Sequence, residues 1–234
     1  MRQVTIVLTG ITPLLLDPMS NATLEQIRTK AAGPDLSKKN PKDIAVTKFY
    51  RNTDGVAGIP LCNITACLVE AGRTQKNPKT NKQISTLNDT TLYGLVTDFG
   101  SQEIIPFVGC DDSSEEAKTP KWEVDERRGV GKNVNPPVAV AIIRPRIDVW
   151  ALNLTVNYDE TEIPMASLIA LFTKAGTSNG ICGARPNKGR MPFGRFAVTE
   201  WIEESLPAID ATIVIRRDGI ALNADETEKK DEAA

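Results

Sequence analysis

From Gln3 to Gly10 the side chains alternate, with Val4, Ile6 and Leu8 on one side and Thr5, Val7 and Thr9 on the other. A period of two predicts a half-buried strand. Thr12-Pro13 interrupts it, and Leu14 to Leu16 carry the apolar run on to Asp17-Pro18. Leu61, Ile64, Leu68 and Ala71 then recur at helical spacing behind Pro60, whose fixed φ suits a first helical turn. Val138 to Ile143 reads as a continuous apolar strand. Leu152, Leu154 and Val156 alternate with Asn153, Thr155 and Asn157. These two segments are expected to form an antiparallel pair. Met165, Leu168, Ile169 and Phe172 mark a second amphipathic helix over 164–174. Phe196, Val198 and Trp201 mark a closing strand, and Ala211 to Arg216 reads as one more.

The order strand, helix, strand, strand, helix, strand predicts an α+β fold of the ferredoxin-like kind, an antiparallel sheet with helices on one face. The opposite sheet face would suit single-stranded nucleic acid. One domain over 1–222 is expected, with insertions at about 20–57 and 74–136 and a charged, disordered tail over 223–234. Within the first insertion, from Arg28 to Arg51, Arg28, Lys30, Lys38, Lys39, Lys42, Lys48 and Arg51 face only Asp35 and Asp43. This run is either a solvated basic loop or a flap that grips a backbone. The second insertion carries the basic run Arg73, Lys76, Lys79 and Lys82. An acidic block from Asp111 to Glu116 follows and reappears as Glu123, Asp125 and Glu126. It is read as a projecting hairpin, or as a surface that meets a neighbouring subunit.

Between the second helix and the closing strand lies a stretch of a different kind, Gly176 to Phe196. It holds Gly176, Gly180, Gly183, Gly189 and Gly194 together with Arg185, Lys188, Arg190 and Arg195, and no carboxylate occurs from Ile163 to Thr199. Glycine permits positive φ and close backbone approach. Exposed amides beside guanidinium groups make a place for a polyanion. The plainer reading is a connector, with Gly176 capping the helix before it.

Composition narrows the chemistry. Apolar residues make up 41% of the 234 residues, enough for a packed core, and the formal net charge is -2. A protein basic all over is excluded, but a local cationic stripe is not. There is no histidine, which removes the commonest general base and every Ser-His or Cys-His arrangement. Cys62, Cys67, Cys110 and Cys182 lack the spacing of a zinc site and read as buried free thiols acting as small hydrophobes. No signal peptide or membrane-length apolar run is visible, so a reducing, cytoplasmic setting is expected.

Three pieces together resemble the RAMP superfamily of CRISPR-associated proteins. Gly10-Ile11-Thr12-Pro13-Leu14 is similar to the exit of that family's first strand. Gly58-Ile59-Pro60 with the following helix is similar to its Ile-Pro-Gly-Ser-Ser-Leu-Lys segment, although Leu61-Cys62-Asn63 stands where Gly-Ser-Ser would be. Gly180 to Phe196, ending Phe193-Gly194-Arg195-Phe196, resembles its glycine-rich loop, with Arg185-Pro186 and Met191-Pro192 as extra residues. The resemblance implies an RRM-like or RAMP core that binds RNA, as the crRNA-binding backbone subunit of a CRISPR effector ribonucleoprotein does in antiviral defence. It also implies helical self-assembly along the strand into a filament or multisubunit complex. A stand-alone relative from a phage or mobile element, bound to RNA or single-stranded DNA, would fit the same residues.

On this reading Lys38, Lys39, Lys42, Lys48, Arg51, Arg73, Arg144, Arg185, Lys188, Arg190 and Arg195 contact phosphates. Gly180, Gly183, Gly189 and Gly194 shape the loop. In type III relatives an Asp ahead of the first helix cuts target RNA; Asp43 matches best by position, and Asp35 second. Such a metal-dependent endoribonuclease would need magnesium; otherwise no cofactor is expected. A lone Asp in a basic loop is more often a solvated charge. A phage assembly protein without nucleic acid is the third reading, and no membrane partner is expected.

Overall fold

The structure, a computed structural model, describes residues 1–18, 24–25, 28–29, 39–98, 103–130, 139–204, 213–215 and 221–223. The elements follow in chain order. β1 spans Arg2–Gly10 and β2 spans Leu14–Leu15. α1 is Pro41–Val46, β3 Tyr50–Arg51 and β4 Ala57–Pro60. α2 is Leu61–Gly72, α3 Leu92–Leu95, β5 Val96–Asp98 and β6 Ile104–Pro106. β7 is Glu123–Val130, β8 Ala139–Ile147 and β9 Ala151–Tyr158. α4 is Met165–Lys174, followed by a π-helical turn at Ala175–Asn179 and the short α5 at Pro186–Gly189. β10 is Phe196–Glu204, β11 Ile213–Ile215 and β12 Ala221–Asn223.

The central sheet has the order β10-β1-β9-β5, and every neighbouring pair is antiparallel. With α2 between β1 and β5, and α4 between β9 and β10, this is the ferredoxin-like α+β topology. Alternation along the strands sends Val4, Ile6, Leu8, Leu152, Leu154, Val156 and Phe196 to one face, each at most 1% exposed. There Leu68 of α2 and Leu168 and Phe172 of α4 close the core. Phe172 meets Trp201 edge-on, and Trp150 meets Phe196 in the same way. Gly10 is required where it stands, since a Cβ there would lie 2.3 Å from the Trp150 indole nitrogen.

One expected pairing is corrected. Segment 138–143 does not pair with 150–157. β8 pairs along its length with β7, and at its end with β2. The reason is charge: Glu123 stands opposite Arg146 and Asp125 opposite Arg144. Such cross-strand pairs fix a register that apolar content leaves open. The core strand beside β9 is instead the short β5. The projecting hairpin of the second insertion is therefore β7–β8, with β8 its second strand rather than a core strand.

The chain divides into a compact unit from Met1 to Glu204 and a second unit from Ser205 to Ala234. In the second unit β11 and β12 pair antiparallel. The expected extra strand at 211–216 is thus present as β11. The expected tail at 223–234 lies outside the described residues except for Asn223. No helix among the described residues is long and apolar enough to cross a membrane.

Candidate nucleic-acid interface

α4 does not stop at Gly176. It runs on through the π-helical turn to Asn179, and Gly180, at φ +68°, ends it. Gly176 has a different job: a Cβ there would lie 2.1 Å from the Phe196 carbonyl oxygen, so the glycine lets the helix end press on β10. The loop then folds back on itself. The Ile181 amide donates to the Gly194 carbonyl at 2.9 Å, the Gly194 amide to Pro13, and the Gly183 amide to Leu15. Between these anchors Cys182, Ala184 and Arg190 all take positive φ without being glycine. Such strain persists only where the surroundings enforce it, and it gathers at working sites.

A ladder of charge lies beside the loop. Lys48 Nζ reaches Asp17 at 2.7 Å, and Arg144 lies 3.8 Å from Asp17 and 3.5 Å from Asp125. Asp125 pairs with Arg127 Nε at 2.7 Å, and the Arg127 guanidinium lies 4.7 Å over the Phe193 ring. A Cβ on Gly183 would touch the Arg144 guanidinium at 3.5 Å. The ladder thus joins the first insertion, the β1 exit and the β7–β8 hairpin to both ends of the loop.

Two clefts of about 420 Å³ each flank the loop. One lies against α2 and is lined by Cys62, Ala66, Val69, Glu70, Tyr93, Asn179, Arg185, Asn187 and Lys188, among others. The other is lined by Thr177, Pro186, Arg190, Met191, Pro192 and Arg195. Lys188 and Arg190 are exposed, and neither has an ion-pair partner among the described residues. Arg185 donates to the Cys182 carbonyl at 3.1 Å and Arg195 to the Thr177 carbonyl at 2.9 Å. Each uses one arm for the loop and keeps other N–H groups for the cleft it lines.

Among solved structures, a chain in "Cryo-EM structure of the Type III-B Cmr-beta bound to cognate target RNA" is similar at 12% identity, with a TM-score of 0.44. The match covers 86% of this chain and 60% of that one, so the protein spans less than two thirds of its length. No protein-family model matches, and neither does any curated protein.

The remaining cations scatter. Lys39 and Lys42 are exposed near α1, while Lys38 and Asp35 lie outside the described residues. Lys48 and Arg144 belong to the ladder, and Arg144 is 7% exposed. Arg51 donates to the Gly55 carbonyl and Thr119, and lies over Phe49. Arg73 pairs with Glu70 at 3.0 Å. The structure therefore brings together Arg185, Lys188, Arg190 and Arg195, and commits Lys48, Arg51, Arg73 and Arg144 to internal contacts.

Asp43 is exposed in the first turn of α1, whose start Asn40 caps by accepting from the Lys42 amide at 2.9 Å. Among the described residues no three His, Cys, Asp or Glu side chains converge as metal ligands.

The sheet's outer face departs from expectation. Its described positions, among them Thr5, Val7, Thr9, Asn153, Thr155, Thr199, Glu200 and Ile202, include no aromatic ring and no Lys or Arg. Thr9 and Thr199 bond each other across it at 2.8 Å. A face with neither stacking rings nor cations has little to hold a strand. Tyr93, Asn179 and Asn187 of the α2-side cleft escape sequence reasoning, because Tyr93 looks like part of an apolar run and the two Asn like loop formers.

The cysteines divide. Burial pushes the Cys67 and Cys182 thiols up to about 12, with Arg185 pulling weakly the other way. Cys62 is exposed, against the expectation that all four are buried. Iodoacetamide at pH 8 should alkylate Cys62 first and spare Cys67 and Cys182 until the fold opens; early labelling of Cys182 in intact-mass and peptide spectra would contradict this. Folding raises both buried thiols above their ordinary value of 9.0. The stability they lend is therefore complete below about pH 9 and lost as pH climbs towards 12. Urea midpoints should fall between pH 9 and pH 11.

Proposed function

We propose that this protein binds single-stranded nucleic acid, RNA in preference to DNA, along its sugar-phosphate backbone, and that successive copies associate along the strand. The observation that carries this reading is the strained loop itself. It holds Lys188 and Arg190 out to solvent, with no ion-pair partner among the described residues, between two clefts that Arg185 and Arg195 also line. Its segment from Ile163 to Thr199 contains no carboxylate to compete with phosphate. The ferredoxin-like topology and the motif resemblance to RAMP proteins support the same reading. The strand runs across the loop and not over the outer sheet face.

Fluorescence anisotropy of a labelled single-stranded RNA, titrated at several salt concentrations, tests it. The wild-type affinity should fall linearly in log–log form. Replacing both Lys188 and Arg190 by Ala should flatten the slope by about 0.7 for each phosphate that is no longer neutralised. The weakening should be the same for every RNA sequence. Equal slopes for wild type and double variant would remove the loop from the interface. A single-stranded DNA of matched sequence reads the RNA preference, and sedimentation with RNAs of increasing length reads the association.

A further inference from the structure

The cleft beside α2 is poorly suited to phosphate alone. One wall is made of small and apolar groups, Cys62, Ala66 and Val69, with the Tyr93 ring 59% exposed beside them. Arg185 and Lys188, from the loop, line the cleft as well. Glu70 also lines it, and a carboxylate repels a phosphate. At about 420 Å³ the space is far larger than an anion needs and falls within the range of small-molecule sites.

We infer that this cleft takes one nucleobase turned out of the bound strand, and that it favours a base bearing an amino group. This rests on the proposed RNA-binding reading and adds a base-reading subsite to it. The Tyr93 ring supplies the stacking face, which every base can use. Selection comes from the acceptors. Asn179 Nδ2 already donates to the Cys67 carbonyl at 3.3 Å, which leaves its Oδ1 as an acceptor. Glu70 accepts from Arg73 through Oε1, leaving Oε2 for a second donor. Two fixed acceptors suit the exocyclic amino group of adenine, cytosine or guanine, and uracil has none to offer. Arg185 and Lys188 hold the phosphates on either side of the turned-out nucleotide.

The experiment compares oligo(A), oligo(C) and oligo(U) RNAs of equal length by anisotropy at one salt concentration. Oligo(A) and oligo(C) should bind tighter than oligo(U). Tyr93→Ala should weaken oligo(A) about tenfold while leaving the salt slope unchanged, and Tyr93→Phe should restore binding. Glu70→Gln should bring the oligo(A) and oligo(U) affinities together. Bound oligo(A) should slow alkylation of Cys62 in the wild-type protein, because that thiol lines the same cleft. If RNA binds with its full salt dependence but Tyr93→Ala changes nothing and Cys62 stays as reactive as before, the base pocket is wrong and the backbone reading survives. If wild-type protein binds no RNA at all, both fall.

Discussion

Asp125→Ala should destabilise the fold by about 3–5 kcal/mol, the range for leaving a buried charge without its partner. Asp125 is 7% exposed and holds Arg127 at 2.7 Å and Arg144 at 3.5 Å. Without it, buried Arg144 keeps, among the described residues, only Asp17 at 3.8 Å, and its Nε has no partner among them. Arg144→Ala should cost less, because Asp125 retains the shorter bond to Arg127. That ordering separates this ladder from a generic packing defect, in which the larger truncation would hurt more. Urea denaturation of the two single variants and the double variant measures both the ordering and the coupling. A loss below about 1 kcal/mol for Asp125→Ala, the level of a surface pair, would show that the ladder does not hold the hairpin to the loop.

The second large effect concerns Gly194. Its φ is +71°, and a Cβ would fall 2.1 Å from the Ile181 carbonyl oxygen. That neighbour is backbone, itself fixed by the hydrogen bonds that the Ile181 amide donates to the Gly194 carbonyl and the Gly194 amide donates to the Pro13 carbonyl. Gly194→Ala should therefore cost about 2–5 kcal/mol, from the unfavourable φ and the forced shift together. Gly109 is the control. It also has positive φ, +83°, but nothing lies within 4 Å of its Cβ position. Gly109→Ala should cost about 1 kcal/mol, the conformational part alone. Equal losses at the two sites, measured by thermal or urea unfolding, would mean that the close approach at Gly194 carries no weight.

Much of the fold can be read from local pattern. The β1 alternation, the α2 stripe and the α4 stripe each report a buried face directly, and the structure buries Val4, Ile6, Leu8, Ile64, Leu68, Leu168 and Phe172 as their spacing requires. Partner choice is harder. Residues 139–147 are apolar enough for a core strand, and only the carboxylates at 123 and 125 facing arginines at 146 and 144 reveal the hairpin. The end of α4 misleads for a related reason. Gly176 looks like a cap, but its missing side chain serves the contact with Phe196, and the helix widens into a π turn that no short sequence signal announces.

The candidate interface is legible as a cationic, glycine-rich loop, yet the roles of its cations are not. Arg144 and Arg190 look alike in sequence; one is 7% exposed between two aspartates and the other stands in solvent at positive φ. That difference depends on Asp17, far from both arginines along the chain, and on Asp125, which only the pairing of β7 with β8 brings opposite Arg144. Tyr93 poses the opposite problem. Its neighbours Leu92 and Leu95 are buried, so a run of four helical residues conceals one ring that faces outward.

The chain of alternating charges from Lys48 to Arg127 has a consequence for trimming this molecule. The hairpin formed by β7 and β8 looks like an appendage that could be excised to leave a bare six-element core. Excision would strand Asp17 without its arginine, strip the underside from Gly183 and take the guanidinium off the Phe193 ring. The late loop draws its footing at those points from the hairpin, so a shortened version would keep its sheet and lose the shape of its working edge.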